Sequence, residues 1–233
     1  MILEVIATTA ADAKLAEQGG ADRLELITGI LEGGLTPSYG LIEQVVQAVS
    51  IPVNVMIRPH SQSFCYDGAD VRTMISDVKA AKQLGAAGIV IGALNKAGQI
   101  DRNTLEALLA EADGLDVTFH RAFDEAVDQL ESLQLLRGYP QIRRILTSGG
   151  KKSALDAIDR LKQLVDLTRD THLTIMAGSG LKVDTITPFL QQTGVTEVHF
   201  GTGVRVDQQA LKPVDPGRVS ALIEAMRQEK GEA

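Results

Sequence analysis

One short stretch of the chain, TFHRAFD at 118–124, combines a histidine, an arginine and an aspartate where an apolar run gives way to a helix-like pattern. An imidazole at such a junction can exchange a proton near neutral pH, and a guanidinium can hold a carboxylate or a phosphate. Asp124 has a simpler explanation, because an aspartate at this position can cap the next helix. We therefore take His120 as a candidate functional residue, leave the role of Arg121 open and interpret Asp124 as a helix cap.

Other ionisable residues lie inside or at the ends of apolar runs. Because side chains alternate along a strand, the flanking apolar residues indicate which face each of them occupies. In a parallel barrel the outer strand face packs on helices, so a charged strand residue is expected to point inward near the carboxyl-terminal mouth. The five candidates for catalysis in such a mouth are Glu4, Glu25, Arg58, His120 and His199.

This set of side chains could perform general acid–base catalysis. Either histidine could exchange a proton, and Glu4 or Glu25 could orient a histidine or act as a base if burial raises its pKa. Arg58 could hold a carboxylate or phosphate through its forked donors. A lone residue of this kind is better explained as a satisfied polar group of the core. Five at one barrel mouth favour a pocket for a small anionic ligand.

The elements that must position these residues follow from eight β-rich runs, which alternate with helix-period stretches. Single (β/α)₈ barrels commonly take about 200–250 residues, so the chain is predicted to be one α/β TIM barrel over 1–233, with a doubly wound open sheet as the alternative. Asp101, Asp124, Ser153 and Asp184 are predicted helix N-caps. The predicted strands are 3–7, 22–27, 53–57, 88–92, 116–120, 143–148, 173–178 and 197–201.

Three loops that follow late strands are rich in glycine: TSGG at 147–150, AGSG at 177–180 and GTG at 201–203. Barrels often bind phosphate with such loops, although tight turns require glycine for conformational reasons alone. The candidate anion-binding residues in these loops are Ser148, Gly149, Gly178, Gly180, Gly201 and Gly203.

Composition narrows the class of protein. The net charge of −7 in 233 residues argues against a dedicated nucleic-acid or anionic-membrane surface, which needs clustered Lys and Arg. No apolar run approaches the length of a membrane span. The single cysteine, Cys65, excludes an intramolecular disulfide framework and favours a reducing compartment, so we expect a cytoplasmic protein.

The assembled motifs resemble the CutC family, whose members are described as copper homeostasis proteins. The resemblance runs along nearly the whole chain. It implies a TIM barrel, a cytosolic location, a link to copper handling and a homo-oligomer. The motifs that carry it are GADRLEL (20–26), EGGLTPS (32–38), PVNVMIRP (52–59), FCYD (64–67), TFHRAFD (118–124) and RILTSGG (144–150).

The chain contains a few residues that could bind copper. Intracellular Cu(I) prefers thiolate, thioether and imidazole donors, and Cys65, His60 and Met56 could supply one of each. Their alternative roles are a packed loop residue for Cys65 and barrel filling for Met56. Three functions therefore stay open: a Cu(I)-binding homeostasis protein, an enzyme acting on a small anionic metabolite, and a non-catalytic scaffold.

Overall fold

The computed structural model describes residues 1–229 and contains a closed barrel of eight parallel strands that pair in sequence order. The predicted TIM barrel is confirmed, and every predicted strand is present with ends shifted by no more than one residue. The extent of a single domain over 1–233 remains a prediction, because 230–233 lie outside the described residues. The strands are β1 (Ile2–Ala7), β2 (Arg23–Leu26), β3 (Val53–Met56), β4 (Gly88–Ile91), β5 (Asp116–Phe119), β6 (Ile142–Thr147), β7 (Thr174–Gly178) and β8 (Glu197–Phe200).

Helices follow each strand and surround the barrel. The connection from β5 to β6 carries two short helices instead of one. Within residues 1–229, every helix is too short or too polar to be a membrane span. The α-helices are α1 (Ala10–Gly19), α2 (Tyr39–Ala48), α3 (Gly68–Gln83), α4 (Arg102–Glu111), α5 (Ala122–Glu125), α6 (Gln129–Leu136), α7 (Ile158–Thr168), α8 (Ile186–Thr193) and α9 (Pro216–Glu229).

The predicted helix caps are confirmed in part. Asp101 accepts hydrogen bonds from the first backbone amides of α4, and Ser153 caps a short 3₁₀ helix. The prediction for Asp184 is wrong, because this residue lies inside a 3₁₀ helix whose N-cap is Lys182. Asp124 is not a cap either, since it lies within α5 and its carboxylate bonds to the loop after β6.

Strand β1 shows how the alternation of side chains places the core and the site. Leu3, Val5 and Ala7 are fully buried in the large cluster between the strands and the surrounding helices. Glu4 and Ile6 occupy the alternate positions, which face the barrel interior. In β1, the packing of Leu3, Val5 and Ala7 against the helices therefore fixes Glu4 and Ile6 on the inner face of the barrel.

Candidate active site in the barrel mouth

Three of the predicted residues meet on the neighbouring strands β8, β1 and β2. Glu4 is in register with His199 of β8, and Ile6 is in register with Glu25 of β2. One donor atom from each of Glu4, Glu25 and His199 lies within 4.8 Å of the other two, and all three side chains are buried. The closed barrel thus brings together residues that are separated by almost the full length of the chain.

Glu4 holds the imidazole of His199 in one orientation. The Glu4 Oε1 atom lies 2.8 Å from His199 Nδ1, and Glu4 Oε2 accepts a hydrogen bond of 2.5 Å from Arg23 Nε. Burial alone would raise the pKa of Glu4, but the charge of Arg23 and the hydrogen bond from His199 lower it to about 2. An ionised Glu4 requires Nδ1 to carry the proton, so the other ring nitrogen, Nε2, is the one left for chemistry.

Glu25 is the second half of this pair. Its Oε2 atom lies 3.7 Å from His199 Nε2, and its Oε1 atom has no hydrogen-bond partner among the described residues. Burial, together with the negative charge of Glu4, raises the pKa of Glu25 to about 7 although His199 opposes the shift. Burial has the opposite effect on His199, whose protonation it opposes, but the negative charges of Glu25 and Glu4 outweigh burial and raise the pKa of His199. The pair therefore has a carboxyl group suited to proton transfer near neutral pH.

A deeper layer of charged residues, which was not predicted from the sequence, supports the site. Arg23 bridges Glu4 and Glu197, with 2.5 Å from Arg23 Nη2 to Glu197 Oε2. Glu197 also accepts a hydrogen bond of 2.9 Å from Arg144 Nε, and Arg144 Nη1 donates to Asp116 Oδ2 at 2.6 Å. Arg23, Asp116 and Glu197 are the first residues of their strands, and Arg144 is the third residue of β6. Charged residues near the start of a strand look like surface residues, so the sequence alone did not distinguish them.

A cavity of about 440 Å³ opens above the Glu25–His199 pair. Its size suits a small metabolite. Four of the five candidate catalytic residues line it, while Glu4 lies behind His199. The other lining residues are mainly apolar side chains and the loops after β7 and β8. The polar and glycine residues in the lining are Glu25, Gly33, Arg58, His120, Arg121, Ser179, Gly180, Lys182, His199, Gly201, Thr202, Gly203 and Gln208.

Arg58 and His120 lie in the same cavity wall. Arg58 Nη1 donates to the carbonyl oxygens of Glu32 and Gly34, at 3.1 and 3.2 Å. His120 Nδ1 accepts a hydrogen bond of 3.1 Å from the backbone amide of Ala122. Burial and the charge of Arg58 lower the pKa of His120 to about 3. His120 is therefore neutral at physiological pH.

The loops after β7 and β8 contribute glycines to the cavity. Gly180 has φ +74° and leaves no room for a side chain, because a Cβ atom there would lie 2.1 Å from Ser153 Oγ. Gly201 and Gly203 also line the cavity. Gly178 does not, and a Cβ atom at that position would lie 2.8 Å from Leu146 Cδ1. Close packing therefore accounts for Gly178, and the positive φ alone would account for Gly180. Gly180, Gly201 and Gly203 remain candidates for anion binding because they line the cavity.

The loop after β6 already binds an anionic group, the carboxylate of Asp124 on α5. The backbone amides of Ser148 and Gly150 donate to Asp124, and the amide of Gly149 donates to Thr147 Oγ1. The expectation that Asp124 caps a helix is wrong because its carboxylate serves this loop instead. Ser148 and Gly149 have amides that are used inside the protein, and neither lines the cavity.

Arg121 belongs to the same arrangement as Asp124. Its Nε atom donates to Asp124 Oδ2 at 2.8 Å, and its Nη2 atom donates to Ser148 Oγ at 2.9 Å. The side chain also lines the cavity. These contacts assign Arg121 a structural partner, which the sequence left open.

Comparison with known proteins decides the family. The CutC family model matches residues 1–204 of this chain. The chain belongs to the CutC family. Curated relatives include a CutC family protein of Pasteurella multocida, which is 43% identical over 209 residues, covering 89% of this chain and 85% of the relative. A mouse relative named as a copper homeostasis protein cutC homolog is 41% identical, over 85% of this chain and 72% of its own.

A solved structure of a CutC protein from Streptococcus agalactiae has the same fold. It aligns with a TM-score of 0.81 and 32% identity, over 85% of this chain and 97% of the other. The resemblance to CutC inferred from the sequence motifs is therefore confirmed, and so is the barrel that it implied.

The three residues predicted to bind Cu(I) in this CutC protein lie in different surroundings. Cys65 is a half-buried residue of the loop after β3, with a free thiol. His60 Nε2 lies 3.3 Å from Asp70 Oδ2. Met56 packs with Ile27 in a small apolar cluster inside the barrel and lines the cavity. Within residues 1–229, neither Cys65 nor His60 belongs to a close group of three potential His, Cys, Asp or Glu ligands.

Proposed function

We propose that this protein acts in copper homeostasis, as the name of its mouse relative indicates, and that its molecular activity is acid–base chemistry on a small anionic metabolite in the barrel mouth. One observation carries the molecular proposal. Glu25 is a buried carboxyl group with an unpartnered oxygen, beside an imidazole, in the wall of a metabolite-sized cavity. A buried acceptor without a partner costs about 1–3 kcal/mol, which a bound ligand would recover.

The pairing of Glu25 with His199 supports proton transfer. The Glu4 carboxylate fixes His199 so that its Nε2 atom faces Glu25, at 3.7 Å from Oε2. Glu25 has a pKa of about 7 and the pKa of His199 is raised, so one of these groups can remove a proton from the ligand and the other can return one. Such catalysis typically contributes a factor of about 10²–10⁴ in rate.

The cations of the cavity support an anionic ligand. Arg58 is held by the carbonyl groups of Glu32 and Gly34, so its remaining donors are preorganised. The exposed Lys182 lines the same cavity, next to the glycines of the loops after β7 and β8. Loops in these positions commonly bind phosphate in TIM barrels. A phosphate or carboxylate group is therefore the chemical handle that we propose for the metabolite.

Anion binding can be tested by thermal unfolding in the presence of inorganic phosphate, sulfate and citrate. A ligand present at about 100 times its Kd stabilises the folded state by about 2.7 kcal/mol. We expect at least one anion to raise the melting temperature of the wild type, and Arg58→Ala to abolish the rise. Arg72→Ala, an exposed change on α3, is the control and should respond like the wild type. Equal responses in all three proteins, or none in the wild type, would contradict the proposal.

Direct binding of copper is a second candidate, with copper as cargo. The donor atoms of Glu4, Glu25 and His199 lie close enough together to hold a metal ion. Two carboxylates and one imidazole suit a divalent ion such as Cu(II), whereas Cu(I) prefers the donors of Cys65, His60 and Met56. We therefore expect Cu(II) to bind in the barrel mouth and Cu(I) to bind near the loop after β3.

An anaerobic Cu(I) titration against a competing chelator, beside an aerobic Cu(II) titration, separates these sites. Tight Cu(I) binding that is lost in Cys65→Ser would support the loop after β3. Tight Cu(II) binding that is lost in Glu25→Gln but kept in Cys65→Ser would support the barrel mouth. Weak binding of both ions, unaffected by either change, would refute direct copper binding and leave the metabolite site or a non-catalytic scaffold.

We further propose that the protein is a cytoplasmic homo-oligomer. The single cysteine, Cys65, supports a reducing compartment. Sedimentation at several protein concentrations tests the oligomer, and a mass equal to one chain throughout would contradict it. Fractionation of cells tests the location.

A further inference from the structure

His120 has one satisfied and one unsatisfied ring nitrogen. Its Nδ1 atom accepts the hydrogen bond from the Ala122 amide and faces Gly92, where a Cβ atom would lie 2.4 Å away. Its Nε2 atom is buried and has no hydrogen-bond partner among residues 1–229. Because Nδ1 must be an acceptor for a backbone amide, the proton of the neutral ring resides on Nε2. His120 therefore presents a buried N–H group that nothing in the described chain accepts.

Arg58 also has a buried N–H group. Its Nη1 atom is fixed by two carbonyl groups, and its guanidinium lies 4.6 Å above the centre of the Phe64 ring. Its Nε atom is buried and has no partner in the described part of the chain. Phe64 also contacts His120, with 4.8 Å between ring centroids. The Phe64 ring thus packs against both Arg58 and His120, whose N–H groups lack acceptors within residues 1–229.

Two buried donors without acceptors in one wall are unusual, because nearly all buried polar groups in folded proteins are paired. Arg58 and His120 are only 8% and 3% exposed, so bulk water does not solvate these groups. Preorganised donors of this kind stabilise negative charge on an oxygen atom that develops during a reaction. A neutral histidine is suited to that task, since it donates a hydrogen bond without giving up its proton.

We propose that Arg58 Nε–H and His120 Nε2–H together bind one carbonyl or carboxylate oxygen of the ligand, so that the substrate is a carbonyl compound with an acidic C–H bond, such as a 2-oxo acid. This proposal rests on the acid–base function above. In the reaction, the C–H bond breaks and its proton moves to Glu25 Oε1. The electron pair forms a C=C bond, and the carbonyl π electrons move to the oxygen held by Arg58 and His120. Return of the proton to the same carbon restores the carbonyl compound, and its delivery to the enolate oxygen instead gives the enol isomer; neither step needs an oxidant or a reductant.

Binding of oxalate, a planar mimic of the enolate of a 2-oxo acid, tests the donor pair. Asn at position 120 can keep an acceptor for the Ala122 amide through Oδ1 but lacks the Nε2–H group. We expect His120→Asn to bind oxalate about 10-fold or more weakly than the wild type, since losing one hydrogen bond to a charged group has about this effect. His172→Gln, which alters a histidine bonded to the Tyr139 carbonyl, is the control and should bind normally.

Nitrogen NMR of histidine-labelled wild-type protein gives a measurement that needs neither a variant nor an activity assay. The ring of His120 should show an unprotonated Nδ1 and a protonated Nε2 from pH 8 to pH 5, and oxalate should shift the Nε2–H signal. A protonated Nδ1, or oxalate binding that is equal in His120→Asn, would overturn this inference alone. A wild type that binds phosphate but not oxalate would also overturn it and leave the proposed anion site standing. A wild type that binds no anion would contradict both.

Discussion

Because His120 is buried and neutral, we expect the free energy of unfolding to decrease in acid by an amount that can be calculated. Its pKa is about 3 in the folded protein, against 6.5 for an ordinary histidine. Between these values the unfolded chain binds a proton that the folded chain excludes, so stability falls as the pH falls. From pH 7 to pH 5 the loss due to this residue is about 2 kcal/mol, because each pH unit well inside the window contributes about 1.4 kcal/mol.

His120→Asn isolates this contribution. Glu25 and His199 have raised pKa values, so they favour the folded state as the pH falls and partly mask the effect of His120 in the wild type. They are present in both proteins, and the difference between wild type and variant cancels their contribution to first order. The charge of Arg58, which helps to depress the pKa of His120, is also common to both.

The assay is urea unfolding of both proteins at pH 5, 6, 7 and 8. We expect the wild type to lose about 2 kcal/mol more than His120→Asn between pH 7 and pH 5. The free energies of unfolding should differ by a constant amount above pH 7, where neither state protonates His120. Parallel curves down to pH 5 would mean that His120 titrates normally in the folded protein. In that case, its interpretation as a neutral hydrogen-bond donor would be wrong.

Two further predictions concern the residues that position the site. Gly92→Ala should destabilise the protein by about 1–3 kcal/mol, because the new methyl group would overlap His120 Nδ1. Gly40→Ala in α2, where a Cβ atom meets nothing, should be neutral or stabilising by up to about 1 kcal/mol, and equal losses in both variants by thermal unfolding would contradict the packing argument. Asp124→Asn should cost about 1.5–3 kcal/mol in urea unfolding, because the carboxylate serves several donors of the loop after β6. A change below about 0.5 kcal/mol, the size usual for surface substitutions, would show that the loop does not depend on the charge.

The alternation of side chains was sufficient to predict which strand residues share the barrel interior. Glu4 and Glu25 lie between apolar residues that pack on helices, so their inward orientation follows from the local sequence alone. Arg23 was missed because a charged residue at the start of a strand looks like surface. Its partner Glu4 is fixed by the register between β1 and β2, which the sequence does not reveal.

Interactions between segments that are far apart in the sequence also could not be predicted. The cap predicted for Asp124 used neighbours a few residues away, whereas its actual partners, Ser148 and Gly150, are more than twenty residues along the chain. The protonation of His120 likewise depends on burial by Phe64 and on the charge of Arg58. Residue types and periodicity predicted that Glu25, Arg58, His120 and His199 share one end of the barrel, where they line one cavity. Only the packed structure distinguishes a neutral donor from a titrating acid or base.

The measurement that tests the central claim most directly is whether the protein catalyses the exchange of carbon-bound hydrogen of small metabolites for deuterium in D₂O. A defined mixture of phosphorylated sugars and 2-oxo acids would be incubated with the wild type, Glu25→Gln and the exposed control Arg72→Ala, and followed by NMR. We expect the wild type and Arg72→Ala to place deuterium on a carbon next to a carbonyl group of at least one compound. We expect Glu25→Gln to lose this activity. Deuterium incorporation that Glu25→Gln retains, or none by the wild type with any compound, would contradict acid–base chemistry in the barrel mouth.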